Sequence, residues 1–139
     1  MFDNILLAYD RSEYSKKAAR IAGDLARLRP NPSLRVITIV DPVPVELGQS
    51  ILNQLIETRK IAGEEALDEA IQLIGEGVEI QKGILFGPVA ETIVDVADTR
   101  QCDLIVIGSR GFGVFKSILL GSQTQKVISM SKCPVLVVK

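Results

Sequence analysis

The sequence predicts one α/β domain, a doubly wound five-stranded parallel sheet with helices on both faces. Short apolar runs alternate with longer amphipathic stretches along all 139 residues, in the order β-α-β-α-β-α-β-α-β. Strands are expected near 4–9, 34–40, 104–108 and 135–138, because nearly continuous apolar runs are typical of strands that helices cover on both sides. The run 78–82 alternates apolar and polar residues instead, which predicts a half-exposed third strand at one edge of the sheet.

The first two helices are predicted from apolar residues at helical spacing. The first is expected to begin near Ser12, a residue type that caps helices. Its predicted buried face comprises Ala18, Ile21, Ala22 and Leu25. The second is expected over about residues 49–75, after a segment that Pro42 and Pro44 keep extended. Its predicted stripe comprises Leu52, Leu55, Ile56, Ala66, Leu67, Ala70, Ile71 and Ile74.

The third and fourth helices carry recognisable start signals. Gly87-Pro88 opens the third, since proline suits the first helical position. Its predicted buried residues are Ala90, Ile93, Val94 and Ala97. Ser122 followed by Gln125 three residues later predicts a capping box at the start of the fourth helix.

Bulk composition limits the possible functions. The chain has 47% hydrophobic and 24% charged residues with a formal net charge of −1, which suits one core and lacks the basic footprint of a nucleic-acid partner. The apolar runs are too short to span a membrane and no secretory signal opens the chain, so a cytoplasmic protein is expected. There is no histidine, which removes the usual general base and metal ligand.

The most informative motif follows the fourth predicted strand. The apolar run 104–107 leads directly into Gly108-Ser109-Arg110-Gly111, and nine residues separate Gly111 from Gly121-Ser122. Glycines at the carboxyl end of a strand allow backbone N–H groups to approach an anion, and a helix N-terminus favours negative charge. The spacing therefore predicts a phosphate site. Asp10, at the end of the first strand, is the second candidate site residue.

This motif resembles the Gly-x2-Gly-x9-Gly-Ser/Thr signature of the nucleotide-binding branch of the universal stress protein family. Gly108, Gly111, Gly121 and Ser122 match it in type and spacing. The resemblance extends to the first strand with Asp10, to the second strand ending in Asp41, and to the closing 133–138, so it covers the whole chain.

The resemblance implies strand order 3-2-1-4-5 and an ATP site where strands 1 and 4 lie side by side. It implies that the end of strand 2, at Ile39, contacts adenine, that Ala8 lines the same wall, and that Asp10 is a ribose or metal partner. The phosphates are expected to carry Mg²⁺ or Mn²⁺. No catalytic residue and no protein metal ligand is predicted.

Further binding residues are expected around the glycines. Ser109 can donate a hydrogen bond from its backbone or hydroxyl, and Arg110 can neutralise a phosphate oxygen. Gln123, with its backbone N–H at the start of the helix, stands where the family often has a smaller residue and is expected to narrow the pocket mouth. Arg11 stands where the family often has glycine, and it either adds positive charge near the nucleotide or points into solvent.

The implied strand order leaves the last strand, Val135-Leu136-Val137-Val138, at the opposite edge with unpaired backbone groups. Such an edge favours pairing with another strand, so a homodimer through these residues is predicted, as is typical of the family. Cys102 and Cys133 both precede neighbouring strands, where they can approach each other, but buried free thiols are the preferred interpretation.

Other nucleotide-binding classes fit less well. In Gly108-x4-Gly113, Val114 and Phe115 separate the second glycine from Lys116, so a P-loop is disfavoured, and Lys116 also interrupts a dinucleotide fingerprint. The preferred hypothesis is a cytoplasmic, homodimeric, ATP-binding regulatory protein of stress response with an unidentified protein partner. The alternatives are a slow Mg²⁺-dependent ATPase, an FMN carrier, and a ligand-free dimeric interaction module.

Overall fold

The structure is a computed structural model that describes residues 2–110 and 120–139. Strands and helices alternate through these ranges as predicted, and parallel strands require such crossover helices. In chain order they are β1 Ile5–Ala8, α1 Glu13–Ala26, β2 Ser33–Val40, α2 Gln49–Ile74, β3 Glu79–Phe86, α3 Val89–Thr99, β4 Leu104–Gly108, α4 Ser122–Met130 and β5 Val135–Val138.

All five strands form one parallel sheet in the order β3-β2-β1-β4-β5, which confirms the expected topology. Ala8, the last residue of β1, lies opposite Ile37 of β2 and Ile107 of β4. The strand order reverses direction at β1, so the chain leaves the paired strands β1 and β4 toward opposite faces of the sheet and a crevice opens beyond their carboxyl ends. The predicted ligand site therefore lies at a position where this sheet topology produces a cleft.

Helices cover both faces of the sheet and divide the core in two. Alternate residues of the central strands point to opposite faces, so each face acquires its own apolar cluster. The cluster under α1 and α2 includes Ile5, Leu7, Tyr9, Ala18, Ala22, Val36, Leu67, Ala70, Leu104 and Val106. The cluster under α3 and α4 includes Leu6, Ala8, Ile37, Ile39, Ala90, Ile93, Ala97, Ile105, Ile107 and Val127. The four residues predicted to be buried in α3 are all buried.

The third strand lies at the edge as predicted, but it is longer than the alternating run 78–82. It extends to Phe86 and pairs residue for residue with β2, from Ser33 opposite Glu79 to Val40 opposite Phe86. Gly83, which weakens the strand signal in the sequence, lies within it. Pairing with the whole of β2 thus outweighs the low local propensity.

Two helix predictions are wrong in detail. Ile21 was expected in the buried face of α1 but is 37% exposed, because the helix packs through the small residues Ala18, Ala19 and Ala22. The capping box at Ser122 is absent: Gly121 is the N-cap residue and makes no side-chain cap, so Ser122 is already helical. The side chain of Gln125 donates instead to the Leu120 carbonyl.

The long helix α2 differs between its two halves. Its carboxyl-terminal half is packed, with Ala66, Leu67, Ala70 and Ile74 buried against the sheet and α1. In its amino-terminal half, the predicted stripe residues Leu52, Leu55 and Ile56 are only partly buried. The apolar stripe therefore faces the core in the carboxyl-terminal half of α2 and is partly exposed to solvent in the amino-terminal half.

Both cysteines are free thiols at the second core cluster; the preferred interpretation of a buried thiol holds for Cys102, whereas Cys133 is only partly buried. Cys102 is buried, and burial raises the pKa of its thiol. Cys133 is partly buried and its Sγ lies 3.5 Å from the Ser131 hydroxyl. None of the helices in the described ranges combines the length and apolar character needed to cross a bilayer.

Candidate nucleotide site

Two neighbouring cavities lie at the carboxyl ends of the central strands, and Asp10 borders both of them. One is a slot of about 210 Å³ between the end of β2 and helix α2. The other is a small cavity of about 10 Å³ between the ends of β1 and β4, which is room for about one water molecule. The crevice predicted from the sheet topology is therefore divided at Asp10 into a larger and a smaller part.

The slot has mostly apolar walls. Its β2 side consists of Thr38, Ile39 and Val40, and its α2 side consists of Ala62, Gly63 and Ala66. The small side chains of Ala62 and Ala66 leave space that larger side chains would fill, whereas Gly63 accommodates Ile84, which would lie 3.0 Å from a Cβ atom there. The volume is below that of a complete small-molecule pocket, which is commonly about 300 Å³ or more, and it suits a flat ring with part of a sugar.

The small cavity brings together four of the predicted site residues. Its lining includes Ala8, Asp10, Gly108 and Arg110. Ala8 was expected on the adenine wall with Ile39, but it borders this cavity instead, because β1 lies between β2 and β4. Thr124 of α4 also lines it and donates a hydrogen bond of 2.9 Å to the Gly108 carbonyl.

Gly108 permits a close contact between β4 and the first turn of α1. A Cβ atom at this position would lie 2.9 Å from the Ser15 backbone nitrogen and 2.9 Å from Tyr14 Cβ. Real Cβ atoms essentially never approach backbone that closely, so no larger residue fits without movement. Gly108 therefore has a packing role whether or not it contacts a ligand.

The loop between β1 and α1 is held by a set of short polar contacts. Ser12 caps α1, accepting from the Ser15 N–H at 3.2 Å, and Asp10 Oδ1 accepts from the Ser12 N–H at 2.9 Å. The Ser12 hydroxyl also donates to the Arg110 carbonyl at 3.3 Å. The Arg110 guanidinium lies over the Tyr14 ring, 4.7 Å from its centroid. These contacts fix Asp10 and Arg110 on the two sides of one cleft.

Ser109 carries a polar group that the fold itself does not satisfy. The residue is 1% exposed, and its hydroxyl has no hydrogen-bond partner among the described residues. Its backbone is fully engaged: the N–H donates to Val138 at 2.7 Å and the carbonyl accepts from Gly121 at 2.8 Å. A buried hydroxyl without a partner lowers the stability of the protein by about 1–3 kcal/mol. A ligand that accepted a hydrogen bond from it would recover that free energy.

The start of α4 is joined to Ser109, because the Gly121 N–H donates to the Ser109 carbonyl, and the N–H groups of the first helical turn have no partner within the helix. The side chains here point elsewhere than expected. Gln123 Oε1 accepts from the Ala90 N–H at 3.1 Å, which caps α3 rather than narrowing the pocket mouth. Ser122 borders a separate open groove with Leu120 and Lys126. Gly111 lies outside the described residues.

A hydrogen-bonded chain joins the slot to Glu69 in the carboxyl-terminal half of α2. The buried Tyr9 hydroxyl donates to Glu69 Oε1, and the Arg11 guanidinium donates to Glu69 Oε2 from Nε at 3.2 Å and from Nη2 at 3.1 Å. Burial, followed by the bond to Glu69, raises the pKa of Tyr9 well above its ordinary value. The hydrogen bond from Tyr9, with support from Arg11, lowers the pKa of Glu69. The pair is therefore an uncharged phenol and a carboxylate at neutral pH.

This shift predicts that acid weakens the fold through Glu69. A carboxylate with a lowered pKa stabilises the native state fully above its unfolded pKa of about 4.3, and the stabilisation is lost as pH falls through the folded value. The difference in unfolding free energy between wild type and Glu69→Gln should be constant above about pH 5.5 and shrink below about pH 4. Denaturant titrations over this range measure it.

A second variant tests whether the hydrogen bond from Tyr9 causes the lowered pKa of Glu69. Tyr9→Phe removes the largest contribution to the lowered pKa of Glu69, so in this background the pH dependence of the Glu69→Gln effect should be smaller. A wild-type advantage that is the same at pH 3 and pH 7 would contradict the assignment.

The sequence did not predict most of the α2 wall of the slot, nor the hydrogen bonds that link Tyr9 and Arg11 to Glu69. Ala62, Gly63 and Ala66 carry no polar signal, although three small residues on one helix face could have indicated a slot. Glu69 lies 60 residues from Tyr9, and no sequence pattern joins them.

Comparison with known proteins identifies relatives along the whole chain. The model of a family described as the universal stress protein family matches residues 1–139. A universal stress protein of Thermus aquaticus is 40% identical over 139 residues, which is 100% of both chains.

Two solved relatives contain nucleotides. A universal stress protein in complex with cAMP is 28% identical with a TM-score of 0.68, and the match covers 99% of this chain and 96% of that one. The Archaeoglobus fulgidus protein in complex with dAMP is 26% identical with a TM-score of 0.67, and the match covers 100% of this chain and 98% of that one.

Proposed function

This chain belongs to the universal stress protein family, and from that membership we propose that it binds ATP and acts as a nucleotide-dependent regulatory homodimer in stress response. The adenine wall is the end of β2 at Ile39 together with the small residues of α2. Asp10 contacts the ribose. The phosphates lie over Gly108, Ser109, Arg110 and the first turn of α4, with Gly111, Ser122 and Gln123 completing the sequence motif.

The position of Asp10 carries the proposal. Asp10 borders both the slot and the small cavity. A base in the slot and phosphates beyond the small cavity would therefore be joined by a sugar at Asp10. Asp10 Oδ1 is used by the Ser12 N–H, while Oδ2 has no partner among the described residues and is available to a ribose hydroxyl. Relatives that bind cAMP and dAMP support an adenine nucleotide as the ligand class.

The phosphate end fits an anion. The orphaned Ser109 hydroxyl, the N-terminus of α4 and the Arg110 guanidinium all follow or adjoin the carboxyl end of β4, and they offer donors or positive charge to an anion there. A divalent ion, Mg²⁺ or Mn²⁺, would be held by the phosphates and would neutralise their charge. With no base assigned among these residues, we propose a binding protein rather than a rapid ATPase.

The dimer is proposed through β5. This strand pairs with β4 only, and its other edge has no neighbouring strand in the described part of the chain. Leu136 is 36% exposed there, so a second copy would cover apolar surface and pair free backbone groups. Light scattering should give the mass of two protomers.

Two steps test ATP binding. Mass spectrometry of the small molecules released from freshly purified protein identifies any bound nucleotide, and calorimetry then titrates ATP into stripped protein. Ser109→Ala should weaken ATP binding by about tenfold or more, because it removes a donor to a charged group. The same variant should not destabilise the free protein, because the hydroxyl has no protein partner to lose.

Ser131→Ala is the matched control, since its hydroxyl bonds Cys133 at the opposite end of the sheet and its removal should leave ATP affinity unchanged. If stripped wild type fails to bind millimolar ATP, the proposal is wrong. If Ser109→Ala binds ATP like wild type, the phosphates do not reach this hydroxyl. Measuring ADP formation in the same samples distinguishes binding from slow hydrolysis.

A further inference from the structure

Arg11 has a backbone conformation that its side chain does not favour. Its φ is +68°, in the left-handed region that glycine adopts at no cost. A residue other than glycine remains there when its surroundings hold it, and such positions are common at binding sites. Arg11 lines the slot beside Asp10, so the strained residue belongs to the ligand cavity.

The Arg11 guanidinium is already held by carboxylates of α2. Nε and Nη2 bond Glu69, and Nη1 lies 3.9 Å from Glu65 Oε2. The second oxygen of Glu69 accepts from the buried Tyr9 hydroxyl, so this carboxylate is fixed in place. Arg11 therefore has little positive charge left to attract an additional anion.

The neighbouring charges are predominantly negative. Asp10, Glu65 and Glu69 provide three carboxylates against the one guanidinium. Lys16 also acts on Glu69, but its ammonium is 3.3 Å from Glu13, so this second pair adds no net charge. The Arg11 side of the slot is therefore net acidic, whereas the opposite side of Asp10 carries Arg110 and the α4 N-terminus.

We infer that Glu65 and Glu69, arranged around Arg11, make this site select adenine nucleotides whose ribose 2′ and 3′ oxygens carry no terminal, doubly charged phosphate group, which a cyclic 3′,5′-phosphodiester also lacks. The inference rests on the proposed function. A ribose at Asp10 whose 5′ phosphates extend toward Gly108 directs its 2′ and 3′ hydroxyls toward the Arg11 side. A terminal phosphate on either oxygen would extend toward this net acidic side, and repulsion between like charges at a solvent-exposed position is largest at low salt.

Calorimetry with AMP and adenosine 3′,5′-bisphosphate tests this, because the two ligands differ only in the 3′ phosphate. Wild type should bind AMP at least about tenfold more tightly than the bisphosphate at low salt. Glu65→Gln/Glu69→Gln should reduce this ratio to about threefold or less, since two charges are removed and Arg11 is released. Glutamine at position 69 still accepts the Tyr9 hydrogen, so the fold keeps that contact.

A variant with the opposite expected effect makes the test sharper. Arg11→Gly removes the cation, suits the left-handed backbone and leaves the carboxylates unneutralised, so the preference for AMP should increase by about threefold or more. Glu57→Gln/Glu64→Gln is the control for net charge, because both residues are exposed on the other side of α2. It should leave the ratio as in wild type.

The outcomes separate this inference from the proposed function. If AMP binds and the ratio is near one in wild type, or is unchanged by both Glu65→Gln/Glu69→Gln and Arg11→Gly, the inference is wrong while nucleotide binding stands. If neither nucleotide binds, both fail. Ratios that change in opposite directions in the two variants, with the control unchanged, establish the inference.

Discussion

Gly108→Ala should destabilise the protein by about 3 kcal/mol, at the upper end of the cost of overpacking. The added methyl group would lie 2.9 Å from the Ser15 nitrogen and from Tyr14 Cβ, and the first of these is backbone in the capped first turn of α1. Backbone held by a cap moves less easily than the end of a side chain. Denaturant unfolding, followed by circular dichroism, measures the loss.

Gly83→Ala provides a matched control on the same sheet. Its new Cβ would meet Ile37 and Leu85 side chains at 3.7 Å, which is an ordinary contact, so stability should not fall and should rise by up to about 1 kcal/mol, because glycine inside a strand costs more backbone entropy than alanine. Equal stabilities of the two alanine variants would contradict the steric interpretation. Because Gly108 also borders the cavity at Asp10, ATP affinity should fall in Gly108→Ala and remain unchanged in Gly83→Ala.

Ile105→Ala should cost about 3–4 kcal/mol, as expected for removing a fully buried aliphatic side chain. Ile105 is 0% exposed and lies in β4, opposite Leu6 of β1 and Val135 of β5. Its side chain contributes to the cluster under α3 and α4, where collapse around the lost methyl groups is limited by the sheet. Calorimetric melting should show a large decrease in Tm.

Ile61→Ala removes the same atoms from a half-exposed position on α2 and should change the free energy of unfolding by less than about 0.5 kcal/mol. Below its melting temperature, Ile105→Ala should still bind ATP, since this residue lines neither cavity at Asp10. Similar losses in both isoleucine variants would mean that the cluster contributes less than its burial indicates.

Most of the architecture was predictable because parallel strands have a strong signature. The runs at 34–40 and 104–108 are nearly continuously apolar, and Ser12 and Pro88 mark helix starts within one residue. The errors occur where local signals compete. Ser122 matches a capping box, yet Gly121 adopts the extended N-cap conformation and moves the helix start by one residue.

The candidate site likewise contains some residues that the sequence predicts and others that it does not. Asp10, Gly108 and Ser109 were predictable because glycine and acidic residues at strand ends imply a specific local chemistry. The α2 wall was not, since alanine and glycine at positions 62, 63 and 66 serve by being small and leave no chemical signature. The partnership of Tyr9 with Glu69 depends on tertiary packing, which local sequence does not encode.

The unequal halves of α2 have a consequence for protein engineering. The portion after residue 61 forms the wall of the slot and packs on the sheet, whereas Ile51 and Ile61 before it are exposed by 58% and 50%. A helix of 26 residues spans about 39 Å, so its first turns lie far from Asp10. Surface positions over residues 49–60 are therefore suitable for randomised libraries or grafted epitopes, with nucleotide occupancy serving as an internal report that the scaffold is intact.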